Sequence, residues 1–395
     1  MWKKSVLAGA SALLAVLAAG QVWAASLALS GKERWLTVAS SKDLDTAIAI
    51  AGVYASERAK VVSSQSGWYA IVLGPYREGS VAAVTKAHAG IGAVPADAHL
   101  SRGDKFIEVV FEEKPWEEQR VLATYDSKKP VQFADGDTTY SVSMAGTNEE
   151  PGPTTASAKR GDTLLFSFTT PADYSMFESD AGLLKLDPGA KGPQLVFTRF
   201  TGGAHCCTQT WIATSPEGGA GWSLVDAGVF DGGAYSYEDV DGDGYLELEL
   251  VDNDFLYAFD SYAGSFAPIR IFQLRGNKLI DVSNTPAMHK RLKRDLAAME
   301  YQVKLDPGLW RSNGFLAGWV AAKQRLGEGG EAWQTVLENL DPNTDFGPDT
   351  CKSGKPVEDC AYEDLQKVPV AKALAQFLSE RDYGELPPMA QAQLN

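Results

Sequence analysis

Gly67-Trp68-Tyr69-Ala70-Ile71-Val72-Leu73-Gly74-Pro75-Tyr76 is the stretch on which the fold of the N-terminal part turns. Aromatic and β-branched side chains run through it, and Gly74-Pro75 ends it, so it reads as one strand closed by a turn. Toward the N-terminus, Arg34-Trp35-Leu36-Thr37-Val38 reads as a first strand and Lys60-Val61-Val62 as a second. Between them, Leu44, Ala47, Ile48, Ala51 and Val53 recur at near-helical spacing. Toward the C-terminus, Ser80 to Ala89 reads as a helix, and a last strand lies near Leu100 or near Phe106-Ile107-Glu108-Val109-Val110. The order βαββαβ predicts a four-stranded, ferredoxin-like sheet with two helices on one face.

That order, and the Trp-Tyr strand running into Gly-Pro-aromatic, resembles the SPOR domain, a bacterial module that binds peptidoglycan glycan stripped of its peptides. The resemblance covers residues 30–111, with Ser40 and Ala47 also fitting the family's spacing. It departs at Thr37, where the family often has Gln, and at Ala70, where it often has Arg. The resemblance implies glycan binding, and sugar recognition wants exposed aromatic faces. Trp35, Trp68 and Tyr69 are the available aromatics. Alternation puts Trp68 and Tyr69 on opposite faces of the strand, which makes at least one of them a core residue.

The fold class is multidomain α+β. Residues 112–130 read as a charged connector. From 131 to 285 Gly, Thr, Ser, Asp and aromatics rise, and short apolar segments recur between turn signals. Leu164–Phe168, Gln194–Phe200, Thr210–Thr214, Trp222–Val225, Leu246–Val251 and Ile269–Leu274 read as strands of a mostly antiparallel domain. Asn148 to Thr155 reads as a surface loop. Residues 286–395 turn helical, with Leu292, Leu296, Met299 and Val303 on one helix face.

Within the β domain, Glu238-Asp239-Val240-Asp241-Gly242-Asp243-Gly244-Tyr245-Leu246-Glu247 places three carboxylates on alternate positions and a fourth eight residues after the first. Hard cations such as Ca2+ take six to eight oxygen ligands. Asp239, Asp241, Asp243, the Tyr245 carbonyl and Glu247 form the candidate ligand set for a structural Ca2+. The arrangement is similar to single calcium loops of FG-GAP repeats. An EF-hand would want Glu at the position of Leu250 and helices on both flanks, where this chain has strands. The competing reading is a solvated acidic turn.

The four cysteines suggest Cys351–Cys360 as one disulfide, closing a polar loop, with Cys206–Cys207 as its companion. Adjacent cysteines also allow a reduced pair or bridges to the other two. Phe200-Thr201-Gly202-Gly203-Ala204-His205-Cys206-Cys207-Thr208 reads as a turn locked by oxidised cysteines rather than as a thiol nucleophile or a zinc site. No sequence motif nominates a residue to orient His205. His289-Lys290-Arg291-Leu292-Lys293-Arg294 is a basic run whose mutual repulsion hints at an acidic partner within the molecule. With 51 Asp and Glu in the chain, chance carboxylate pairs are too abundant to nominate a hydrolytic centre.

At the N-terminus, Lys3 and Lys4, an apolar run to Ala19 and Val22-Trp23-Ala24 read as a signal peptide cleaved after residue 24, the alternative being an uncleaved anchor. Its removal takes the net charge from -15 to about -17. Such a chain repels nucleic acid and anionic lipid, leaving the signal peptide as the membrane contact. The resulting expectation is a periplasmic, non-enzymatic protein that binds peptidoglycan glycan strands and offers its β domain to a second envelope partner. The alternative is a cell-wall hydrolase targeted by a SPOR-like domain.

Overall fold

The computed structural model describes residues 27–114, 118, 120–147, 150–170, 179–203, 205–215 and 221–394. The expected signal peptide lies outside them. Mostly antiparallel sheets make up the N-terminal and central parts, and a helical region follows.

β1 (Arg34–Ser41), β2 (Lys60–Ser64), β3 (Tyr69–Tyr76), β4 (His99–Ser101) and β5 (Phe106–Glu112) form the first sheet. Its order is β4-β1-β3-β2-β5, with antiparallel neighbours throughout. Both candidate last strands therefore form, and the sheet has five strands where four were expected. Helix α1 (Leu44–Gly52) starts at Asp43, whose carboxylate accepts from the Thr46 backbone N–H at 2.8 Å. That satisfies one of the donors every helix start leaves over. α1 buries Ala47, Ile50 and Ala51 against Leu36, Val38, Val61, Ile71 and Leu73; α2 (Val81–Ala87) adds Val84. The opposite face of the sheet carries Trp35, Val62, Ala70 and Val72 beneath Leu27, Leu29 and Phe106.

Three sheets stack in the centre. The middle one has the order β14-β13-β12-β11-β6, from β14 (Ser223–Phe230), β13 (Thr208–Thr214), β12 (Gln194–Phe200), β11 (Ser179–Leu184) and β6 (Ala123–Tyr125). On one side lies β10-β9-β8-β7, from β10 (Thr163–Thr169), β9 (Pro151–Arg160), β8 (Thr138–Gly146) and β7 (Val131–Asp135). On the other lies β15-β16-β17-β18, from β15 (Ser236–Glu238), β16 (Glu247–Val251), β17 (Ile269–Arg275) and β18 (Lys278–Asp281). β12 shows why the middle sheet is central. Leu195 and Phe197 face the first partner sheet with Tyr140 and Phe166, while Val196 faces the second with Leu248 and Leu274. A strand covered on both faces reads as a continuous apolar run, and Gln194 to Arg199 are all buried.

Two expectations change here. The connector 112–130 contributes β6, because Ala123–Tyr125 pairs with Ser179–Ala181. Part of the connector, residues 115–117 and 119, lies outside the described residues. The loop expected at Asn148–Thr155 is largely strand, since β9 begins at Pro151. Small inward side chains, Ala156 and Ala158, carry its periodicity weakly.

The helical region contains α3 (His289–Leu305), α4 (Asn313–Arg325), α5 (Gly329–Asn339) and α6 (Val370–Glu380). The strand pair Asp349–Cys351 and Leu365–Lys367 is closed by the Cys351–Cys360 disulfide, with Cα atoms 5.7 Å apart. α3 is the hub. Leu292 packs on Ile269 and Ile271, Leu296 and Met299 enter the helical core around Phe315 and Trp333, and Tyr301 packs into the N-terminal core. Among the described residues no helix is long and apolar enough to cross a membrane.

Candidate functional site

β15 and β16 pair with Glu238 opposite Glu247, so the acidic segment between them is the loop of a hairpin. Carboxylate oxygens of Asp239, Asp241 and Glu247 lie within 4.8 Å of one another. Local hydrogen bonds aim them. Asp239 accepts from the N–H groups of Gly242 (2.9 Å) and Gly244 (3.1 Å), and Asp241 accepts from that of Asp243 (3.2 Å). Gly242 at φ +78° and Gly244 at φ +88° occupy the left-handed region the turn requires. Asp243 accepts from the N–H of Tyr245 at 2.8 Å and is not part of the convergent trio.

Glu247 is the anchor. It is 1% exposed and accepts from the Val240 N–H at 2.8 Å and from the Gln273 amide at 2.9 Å. Burial pushes its carboxyl above the usual range despite those hydrogen bonds, and the nearby Asp241 and Asp243 push the same way. Three acids at this spacing, one of them desolvated, repel each other, and a divalent cation is the chemical species that would relieve them. Gln273 enters from β17, and no local spacing pointed to it.

The three aromatics of the N-terminal sheet do not share a surface. Trp35 is 5% exposed, and its indole N–H donates to the Leu27 carbonyl at 2.9 Å. Tyr69 packs against the helix-side core. Trp68 is 40% exposed, with the Lys42 ammonium 5.3 Å from its ring centre. Only Trp68 of the three presents a face to solvent, because the segment at Leu27 and Leu29 covers the sheet over Trp35.

Cys206 and Cys207 are bonded to each other, Cys351 to Cys360, and no described cysteine is free. His205 lies beside the first pair, and its partners come from elsewhere. Its Nδ1 lies 2.6 Å from the Asp231 carboxylate. A carboxylate only accepts, so Nδ1 carries a proton; in the neutral ring Nε2 then accepts from the Tyr257 hydroxyl at 3.4 Å. The ring stacks on Tyr262 with centroids 3.9 Å apart and planes 16° apart. Asp231 is held in turn by Asn253, whose Oδ1 accepts its N–H at 2.6 Å. Asp231 is thus the orienting residue that sequence reasoning did not find. It stands 26 residues away, and only the fold unites the two.

The basic run at the start of α3 meets acids inside the molecule. Arg291 grips Glu249 through Nε (2.9 Å) and Nη2 (2.9 Å) and reaches Glu238 at 3.3 Å. Arg294 also pairs with Glu238, and Lys290 lies 3.2 Å from Asp45. Burial pushes the Glu249 carboxyl up against the pull of Arg291. Glu249 faces α3 because its neighbours Leu248 and Leu250 face the middle sheet.

Residues 290–382 match the family model described as the sll0997 C-terminal domain. That span runs from α3 through α6 and includes the Cys351–Cys360 loop. The chain is 34% identical over 370 residues to the uncharacterized protein y4bJ of Sinorhizobium fredii, covering 91% of this chain and 57% of that protein. It is 38% identical over 194 residues to a probable thylakoid lumen protein, sll0997, of a Synechocystis species, covering 49% of this chain and 57% of that protein. The chain thus spans 57% of the length of each of these relatives.

Proposed function

We propose that this chain is an exported, non-enzymatic protein of the bacterial periplasm whose SPOR-like N-terminal sheet contacts peptidoglycan glycan and whose central hairpin loop holds a structural Ca2+. The observation that carries export is the pairing of all four cysteines, since disulfides persist in oxidising compartments. The resemblance to a probable thylakoid lumen protein supports a compartment across a membrane from the cytoplasm. For the glycan contact, the support is the exposed ring of Trp68 beside Lys42. The buried Trp35 serves this reading as a strut under the N-terminal segment, so contact runs along the Trp68 end of the sheet. A further partner in the envelope would meet the β domain.

Cosedimentation with purified sacculi tests the glycan contact. Wild-type protein pellets with sacculi and releases no soluble fragments, and Trp68→Ala stays in the supernatant. Equal pelleting of the two proteins refutes the contact. Fragment release by the wild type would move the reading to a hydrolase.

For the loop, a ligand held only by the native state raises stability by mass action, about 2.7 kcal/mol at a hundred times Kd. The melting temperature therefore rises with Ca2+ and falls back with chelator, and Asp241→Ala removes the response. A wild-type response in Asp241→Ala would take this loop out of consideration.

A further inference from the structure

A cleft of about 760 Å³ opens between edge strand β15 and the segment Arg120–Leu122. Its size falls within the usual range for small-ligand sites. Three ion pairs, made by two arginines, supply much of its polar lining. Arg120 pairs with Asp180 on one wall, and Arg291 with Glu249 and Glu238 on the other. The lining holds four carboxylates, Asp180, Asp231, Glu238 and Glu249, against two guanidinium groups. An anionic ligand is disfavoured by that balance. Fixed acceptors and donors remain on both walls, oriented by each other, while Leu122, Tyr235 and Leu250 supply an apolar floor.

The third wall is the turn Gly232-Gly233, at φ +82° and +129°. Nothing lies within 4 Å of where a Gly233 side chain would begin, so that wall is open backbone. At Gly232 the first side-chain carbon would stand 3.0 Å from the Tyr262 hydroxyl, which places Tyr262 at the cleft's edge. From there the stacked rings of Tyr262 and His205 lead to Tyr257, with Tyr257 and Tyr262 centroids 5.7 Å apart. Tyr257 is 50% exposed. It sits at φ +64°, a conformation costly for a residue with a side chain, and its N–H is tied to the Ser265 hydroxyl at 3.1 Å. The fold thus holds a large exposed ring in a strained backbone next to Tyr262, the ring at the edge of the cleft of paired charges.

We propose that this cleft and its aromatic rim form a binding site for an uncharged oligosaccharide. A sugar ring has a C–H face that stacks on aromatics and an edge of hydroxyls that both donate and accept. The rim of Tyr257 and Tyr262 matches the first, and the carboxylate–guanidinium pairs match the second. Asp231 joins the two parts, since it orients His205 in the rim and lines the cleft. This site is separate from the Trp68 contact and does not depend on it.

The test is calorimetric titration of the full mature chain with chitotetraose and with maltotetraose. Wild-type protein binds one of them saturably. Tyr257→Gly, whose backbone is at ease at positive φ, weakens binding about tenfold or more. Ser236→Trp, at an exposed position on the cleft lip, blocks it. Trp68→Ala leaves it unchanged, which separates this site from the sacculus contact. Unaltered melting temperatures show that the variants fold. Absence of binding to both sugars by the wild type overturns the proposal, as does wild-type affinity in both Tyr257→Gly and Ser236→Trp.

Discussion

Asp281 shows how much one side chain at a strand end can organise. It accepts from the Ser283 hydroxyl at 2.6 Å and N–H at 2.9 Å, and from Arg270 at 2.9 Å and 2.7 Å. Burial alone would raise its carboxyl, but those donors win and hold it below the ordinary aspartate range. A lowered folded pKa means the contribution is fully present above the unfolded carboxyl's ordinary pKa and is lost as pH falls through the folded value. Asp281→Asn is therefore expected to cost about 1–2 kcal/mol at pH 7, the roughly 1.5–3 kcal/mol of hydrogen bonds to charge reduced by solvent screening of a pair that is about a third exposed. The difference from wild type should shrink in strong acid. Urea unfolding of both proteins at pH 7 and at about pH 2.5 checks this; a gap that stays constant would contradict it.

At the scale of elements, α4 is set by its glycines rather than by its propensity. A side-chain carbon at Gly318 would sit on the Phe266 carbonyl oxygen, and one at Gly314 on the Gly264 carbonyl oxygen. The loop Gly264–Phe266 therefore packs directly on the helix backbone. Alanine is a better helix former than glycine by about 1 kcal/mol. Overpacking against backbone costs about 1–3 kcal/mol, occasionally more, and backbone cannot rotate away as a side chain can. Gly318→Ala should thus destabilise by about 2 kcal/mol net, read as a lower urea midpoint; a stabilised variant would show that the loop is free to move. The strand-pair loop makes a second case. A disulfide spanning about ten residues is worth about 2.7 kcal/mol by chain entropy, and the serine double variant at Cys351 and Cys360 should lose that much in the same measurement.

Across the whole molecule, α3 joins the three parts. Its Tyr301 hydroxyl lies 3.1 Å from that of Tyr54 and donates to the Val38 carbonyl at 3.2 Å, more than 200 residues away in sequence. Its Arg291 and Arg294 reach the β domain, and its Leu296 and Met299 the helical core. Tyr301→Ala would open a cavity in the N-terminal core at a cost of about 3–5 kcal/mol, as for other large buried aromatics. The N-terminal unit should then melt separately. Scanning calorimetry should show one transition in the wild type and two in the variant; a single, uniformly shifted transition would mean that the coupling lies elsewhere.

Local pattern made the strands around Gly74-Pro75, the apolar runs at Gln194–Phe200 and Ile269–Leu274, and the helical C-terminal region legible, because period and turn chemistry act over a few residues. The acidic loop was legible for the same reason, since its carboxylates are spaced within one turn. The fifth strand of the first sheet was harder, because β5 is an edge whose Ile107, Val109 and Val110 stay exposed and carry no core period. What the tertiary structure alone decided are the partners that sequence separation hides. Gln273 behind Glu247, Asp231 beside His205, Leu27 over Trp35 and Glu249 under Arg291 are side chains brought together by strand order and sheet stacking. Spacing along a chain records which face a residue points to, whereas the identity of what it meets there depends on how distant elements bury those faces together.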